Sequence, residues 1–156
     1  MYERILVPLD GSEVGEAALP YVQELAASLE PKTKVEVILL QVVTMRAHYV
    51  ASGDLATPIP YTEKEMEQIR DRAKGYLDEV AQRLRSKGIT VKTKVSTGHP
   101  AEEIIKAAEE TQAGLVAMST HGRSGISRWA LGSVTDKVLR EGKVAILTVR
   151  APGKAK

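Results

Sequence analysis

Cysteine is absent from the chain, and with it go disulfides, thiolate metal sites and thiol chemistry. Phenylalanine is absent too, and one tryptophan stands against five tyrosines, so a core has to be assembled from Val, Ile, Leu and Ala. No apolar run approaches the roughly 18 to 20 residues of a membrane-spanning helix. A strong excess of either charge is also missing: the formal net charge is +2, so neither nucleic acid nor a membrane surface is expected as a partner. The first residues carry an acid, Glu3, and enter a strand-like run at once, unlike a secretory signal, so a cytoplasmic location is expected. What is present is ordinary for one globular domain: 156 residues, 43% hydrophobic and 27% charged. That domain is expected over residues 1–150, with a frayed, flexible tail from Ala151 to Lys156.

Short β-branched runs alternate with helical periodicity. Arg4-Ile-Leu-Val-Pro8 reads as a strand that stops at Asp10-Gly11-Ser12, a turn and helix-cap signal. Apolar residues then fall at helical spacing from Val14 to Leu29, with Pro20 inside the span and expected to kink it or to remove one hydrogen bond. The run from Val35 to Val43 reads as a strand buried on both faces. The span from Thr44 to Tyr61 has no period and holds Gly53, Pro58 and Pro60, which predicts a long loop. Thr62-Glu-Lys-Glu65 is a capping-box pattern opening a helix to about Ser86, burying Met66, Ile69, Ala73, Tyr76, Val80 and Leu84, with Gly88 ending it. The run from Ile89 to Val95 alternates apolar residues with Lys and Thr, as at a sheet edge. Pro100 opens the next helix; Leu115 to Met118 is a short buried strand. A helix from about Val134 to Glu141 and a strand from Val144 to Val149 close the pattern. Five strands alternating with four helices predict an α/β fold: an open five-stranded parallel sheet with helices on both faces, Rossmann-like.

In such sheets ligands bind beyond the carboxyl ends of the strands, where strand order reverses. Two strand ends are rich in suitable groups. One is Pro8-Leu-Asp-Gly-Ser12; the other is the stretch STHGRSGISRWALGS, from Ser119 to Ser133. No carboxylate occurs between Glu110 and Asp136, whereas His121, Arg123 and Arg128 are present, and Ser133 with Asp136 predicts a capped helix start. A helix N-terminus with unpaired N–H groups favours an anion. Taken alone, both segments also read as ordinary structure, the first as a turn with an N-cap and the second as a glycine-rich connector with solvated arginines. Common phosphate-loop motifs are missing: there is no Gly-x-x-x-x-Gly-Lys-Ser/Thr and no Gly-x-Gly-x-x-Gly. His48, His99 and His121 are scattered, so no protein-only metal site is expected. No Gly-x-Ser-x-Gly elbow occurs. Tyr49, Tyr61 and His48 lie on the span that could cover a base.

The stretches ILVPLDGSE, VILLQVV, GHPAEEII, LVAMSTHGRSGISRWALGSV and VAILTV together resemble the universal stress protein family over nearly the whole chain. The resemblance implies strand order 3-2-1-4-5, the adenine nucleotide alpha hydrolase-like arrangement, and a cytoplasmic homodimer built through the last strand, Val144 to Val149. The ATP-binding branch of the family carries Gly-x-x-Gly, nine residues, then Gly-Ser/Thr. Gly122, nine intervening residues, Gly132 and Ser133 match that spacing, while Ser119 stands at the first glycine. By resemblance, Gly122, Arg123, Gly132, Ser133 and Val134 would surround phosphates. Pro8 and Asp10 would line the ribose and base side, with Asp10 able to touch Mg²⁺; Val42 would offer backbone groups to adenine, and Met118 and Ser119 would flank the ribose. The leading expectation is a stress-response protein that binds ATP as a regulatory ligand. A nucleotide-independent dimeric scaffold is the alternative, and a slow ATPase ranks last, because no general base or second metal ligand accompanies Asp10.

Overall fold

Five apolar strands, each too short to bury both faces alone, assemble into one parallel sheet. The computed structural model describes residues 3–29, 34–45, 48–52, 55–120 and 132–151. In chain order the strands are β1 (Arg4–Pro8), β2 (Glu36–Val43), β3 (His48–Ser52), β4 (Leu55–Ile59), β5 (Thr90–Thr97), β6 (Leu115–Ser119) and β7 (Ala145–Val149). The helices are α1 (Leu19–Leu29), α2 (Glu63–Arg85), α3 (Pro100–Glu110) and α4 (Ser133–Glu141). The main sheet runs β5-β2-β1-β6-β7, which is 3-2-1-4-5 when its own strands are numbered along the chain. The expected Rossmann-like architecture is therefore present.

Period-two alternation sends neighbouring residues of each strand to opposite layers. Ile5, Val7, Val37 and Leu39 pack with Val22 of α1 and Leu77, Val80 and Leu84 of α2. Leu6, Ile38, Leu40, Val116 and Met118 pack on the other side with Ile104 and Ala107 of α3 and Val138 of α4. Of the residues expected to be buried on α2, Ile69 and Tyr76 are only partly so, and Leu77 and Ala81 join the buried face. The capping box is as expected: the Thr62 hydroxyl accepts from the Glu65 amide (3.3 Å), and the Glu65 carboxylate accepts from the Thr62 amide (2.8 Å). β5 lies at the sheet edge and carries Lys92 and Lys94, paired with Glu36 and Glu110.

Two expectations are corrected here. Residues 48–52 and 55–59 pair as antiparallel strands, β3 with β4, separate from the main sheet. The register pairs Ser52 with Leu55, and in the sequence Gly53-Asp54 is a residue pair of the type favoured in hairpin connections. That local signal was hidden by the prolines beside it. Pro20, expected to kink a single helix, instead sits at the second residue of α1, after a 3-10 segment Gly15–Ala18. It has no N–H to give to the Glu16 carbonyl; the Leu19 amide takes that carbonyl instead, which tightens the preceding turn to 3-10 geometry. Of the expected tail, residues 152–156 lie outside the described residues.

Among the described residues, the side-chain oxygen of Gln41 is buried without a hydrogen-bond partner. It occupies the face of β2 that carries Leu39 and Val43. A buried unpaired acceptor costs roughly 1–3 kcal/mol. Gln41→Met, which keeps the length and removes the polar atoms, is expected to raise unfolding stability by about 1 kcal/mol in urea titration; a loss of stability there would reveal a polar partner for Gln41.

Candidate functional site

β1 is the strand at which the order reverses, with β2 on one side and β6 on the other. Its carboxyl end delivers Pro8, half-buried, and then the turn at Asp10. The Asp10 carboxylate folds back: its Oδ1 accepts from the Ser12 amide (3.0 Å) and from the Ser12 hydroxyl (2.6 Å). Ser12 Oγ in turn accepts from the Gly15 amide (3.0 Å). Gly15 leaves room for this arrangement, because a Cβ there would lie 2.4 Å from Asp10 Oδ1. Next in the chain, Glu16 accepts from the Tyr76 hydroxyl (2.9 Å) and pairs with Arg83 (2.8 Å), which ties the turn to α2. Burial, followed by the Glu16 hydrogen bond and the negative charges of Glu16 and Asp10, pushes the Tyr76 phenol well above its usual range, against a smaller opposite effect of Arg83. Tyr76 therefore stays a neutral donor.

On β2, the Leu40 carbonyl accepts from the Leu9 amide (2.8 Å), and the Val43 carbonyl accepts from the Gly98 amide (3.0 Å) on the β5 side. Backbone groups alternate between sides along a strand, so Val42 turns its N–H and C=O towards β1, beyond the last β1–β2 pair, Pro8 with Leu40. Tyr61 is partly buried against Val43 and Met66; the side chains of His48 and Tyr49 lie outside what the structure describes.

β6 ends in Met118, whose side chain is buried in the α3–α4 layer, and Ser119, also buried. Ser119 is in extended strand conformation, in register with Val149, so a serine at this position carries no left-handed backbone strain. The Thr120 amide donates to the Val149 carbonyl (2.9 Å), so by the same alternation Ser119 turns its own carbonyl towards β1.

α4 begins directly over this strand end. Ser133 was expected to cap it; instead Gly132 is the N-cap and Ser133 the first helical residue, with no side-chain cap. The reason is a tether: the Gly132 amide donates to the Thr120 carbonyl (2.8 Å), which places the glycine at the cap position. The first intrahelical bond runs from the Asp136 amide to the Gly132 carbonyl (2.9 Å). The amides of Ser133, Val134 and Thr135 thus have no acceptor within the helix, and Gly132 has no side chain to supply one. Lys137, one turn on, pairs with Glu102 of α3 (3.0 Å), and that hydrogen bond and charge lower the Glu102 carboxyl below its usual range. Sequence reasoning missed Thr135, a buried hydroxyl that donates to the Ser119 carbonyl (3.1 Å). Its place three residues before the buried Val138 was the available signal.

Pro8, Asp10, Val42, Met118, Ser119, Gly132, Ser133 and Val134 therefore converge on the carboxyl edge of the sheet. Gly122 and Arg123, with His121 and Arg128, lie outside the described residues. Among the described residues no group of three or more acidic or histidine side chains could hold a metal ion, and no helix is long and apolar enough to cross a membrane.

The chain is 30% identical to the universal stress protein MJ0577 of Methanocaldococcus jannaschii, over 96% of each sequence. The solved structure of MJ0577 is similar, with a TM-score of 0.77 and 27% identity covering 99% of each chain. A universal stress protein family protein of Arabidopsis thaliana, solved with AMP bound, shares the fold with a TM-score of 0.63 at 12% identity, covering 96% of this chain and 92% of that one. Residues 1–150 match the family model itself, and the chain belongs to the universal stress protein family.

Proposed function

We propose that the chain is a stress-response protein that binds ATP at the carboxyl edge of its sheet as a regulatory ligand, acting as a cytoplasmic homodimer of single-domain subunits. One observation carries the reading: the start of α4, where the amides of Ser133 and Val134 have no acceptor within the helix, is tethered by Gly132 to the end of β6, beside the β1 turn that holds Asp10. Helix amides and the positive end of the helix dipole are suited to phosphate oxygens. Gly122 and Arg123 complete the phosphate side in this reading; Pro8, Asp10, Val42, Met118 and Ser119 line the ribose and base. The presence of AMP in the Arabidopsis relative supports an adenine nucleotide as the ligand class. Mg²⁺ would arrive with the nucleotide, with Asp10 as a carboxylate able to touch it. Apart from the Asp10 carboxylate, which accepts from Ser12, no group in this set is a general base, which supports binding over turnover.

The two sheet edges support association through β7. β5 is guarded by Lys92 and Lys94, whereas β7 presents Ala145 and Thr148 to solvent with Ile146 and Leu147 half-buried and carries no charge. Isothermal titration with ATP·Mg²⁺, run beside light scattering, tests both parts. Binding heat, thermal stabilisation and a dimer mass are expected; no heat and no stabilisation at millimolar ATP would leave a nucleotide-independent scaffold.

A further inference from the structure

We propose that Thr135 is a positioning residue for the nucleotide site, acting through the backbone carbonyl of Ser119. The inference rests on the reading of the α4 start as the phosphate-binding end. Thr135 is the third residue of α4 and is 3% exposed, so its hydroxyl has no recourse to water and needs an internal partner. That partner is the Ser119 carbonyl, 3.1 Å away. The bond has two consequences for an anion. It fixes the first turn of α4 on the strand end, adding a side-chain strut to the backbone tether from Gly132 to Thr120. It also engages a carbonyl that faces β1, on the side where the crevice opens, so the hydroxyl helps to hold that strand end in register with the helix start. The position acts through the carbonyl of residue 119, which serine supplies as well as glycine does, so the strut is unaffected by the departure from the family pattern at Ser119.

Thr135→Val keeps the shape and removes the hydroxyl; Thr135→Ser keeps the hydroxyl and removes the methyl. Expected for the Val variant is roughly tenfold weaker ATP·Mg²⁺ affinity, comparable to losing one buried hydrogen bond. Hydrogen exchange at the Gly132 and Asp136 amides, measured without nucleotide, should also be faster. Thr135→Ser is expected to restore both. Wild-type affinity and wild-type exchange in Thr135→Val would overturn the assignment, as would a Ser variant that folds but binds no better than the Val variant. If wild-type protein binds no ATP, the proposed function falls while the exchange comparison still decides Thr135: equal protection in the three proteins overturns the strut, and loss in Val with recovery in Ser upholds it.

Discussion

Gly132→Val is expected to abolish measurable ATP binding, an affinity loss of about a hundredfold or more, and to lower folding stability by about 1–3 kcal/mol. The cause is not backbone freedom, since Gly132 sits at φ −57°, where any residue is comfortable. It is proximity: a Cβ at this position would lie 2.9 Å from the Thr120 carbonyl oxygen, the same atom that accepts the Gly132 amide at 2.8 Å. A side chain can be admitted only by lengthening that tether. The α4 start would then lift from the end of β6, carrying with it the amides of Ser133 and Val134. Gly132→Ala places the same first carbon against the same backbone oxygen, so a weaker version of the effect is expected there. Titration calorimetry and thermal melts of both variants check the sequence Gly, Ala, Val. Undiminished affinity in the Val variant at an unchanged melting temperature would mean that the tether does not hold the site.

This glycine also illustrates how much was legible beforehand. The match to the family's glycine spacing singled out Gly132 for the phosphate side. The structure adds that the chain's own Thr120 carbonyl lies in the space a side chain would take, a contact that no local pattern carries. The strands and layers were readable because the apolar runs 5–7, 37–40 and 115–118 are continuous and the intervening helices keep their period, whereas the strand order came from the family resemblance. Failures came where two local rules compete. In the span from Thr44 to Tyr61, Pro58 and Pro60 argue against a strand, yet Pro58 is accommodated in a two-stranded ribbon, where one edge of each strand needs no partner. At Pro20 helical periodicity was right and the expected kink was not, because a 3-10 turn takes up the missing donor before the α-helix begins. Ser133 lost the cap to Gly132 by one residue, since the tether to Thr120 outweighs capping preference. Thr135 looked like one more polar residue on a short helix until its partner on β6 was known.

Asp10 joins both halves of the problem, and its two roles separate under substitution. Asp10→Ala is expected to lower stability by roughly 1–3 kcal/mol, the range for losing hydrogen bonds to a charged group, because the Ser12 amide and hydroxyl both donate to Oδ1. Ser12 then loses the orientation that lets its oxygen accept the Gly15 amide, the first amide of the 3-10 segment. Asp10→Asn keeps an oxygen at the Oδ1 position and should recover most of that stability. Charge is a different matter. If the carboxylate faces a nucleotide-bound Mg²⁺ or the ribose, the Asn variant remains impaired in binding ATP·Mg²⁺ by tenfold or more, about 1.4 kcal/mol, although its fold is restored. The Ala variant then binds no better than Asn. Equilibrium unfolding and ATP titration on the same two proteins resolve the roles: recovery of both quantities by Asn would confine Asp10 to building the turn, whereas recovery of stability alone assigns the carboxylate to the ligand. Both Ser12 donors converge on Oδ1, and Gly15, by lacking a side chain, leaves that oxygen room to sit over the 3-10 start, so the hydrogen-bonding role depends on an oxygen that Asn also supplies while the charge does not.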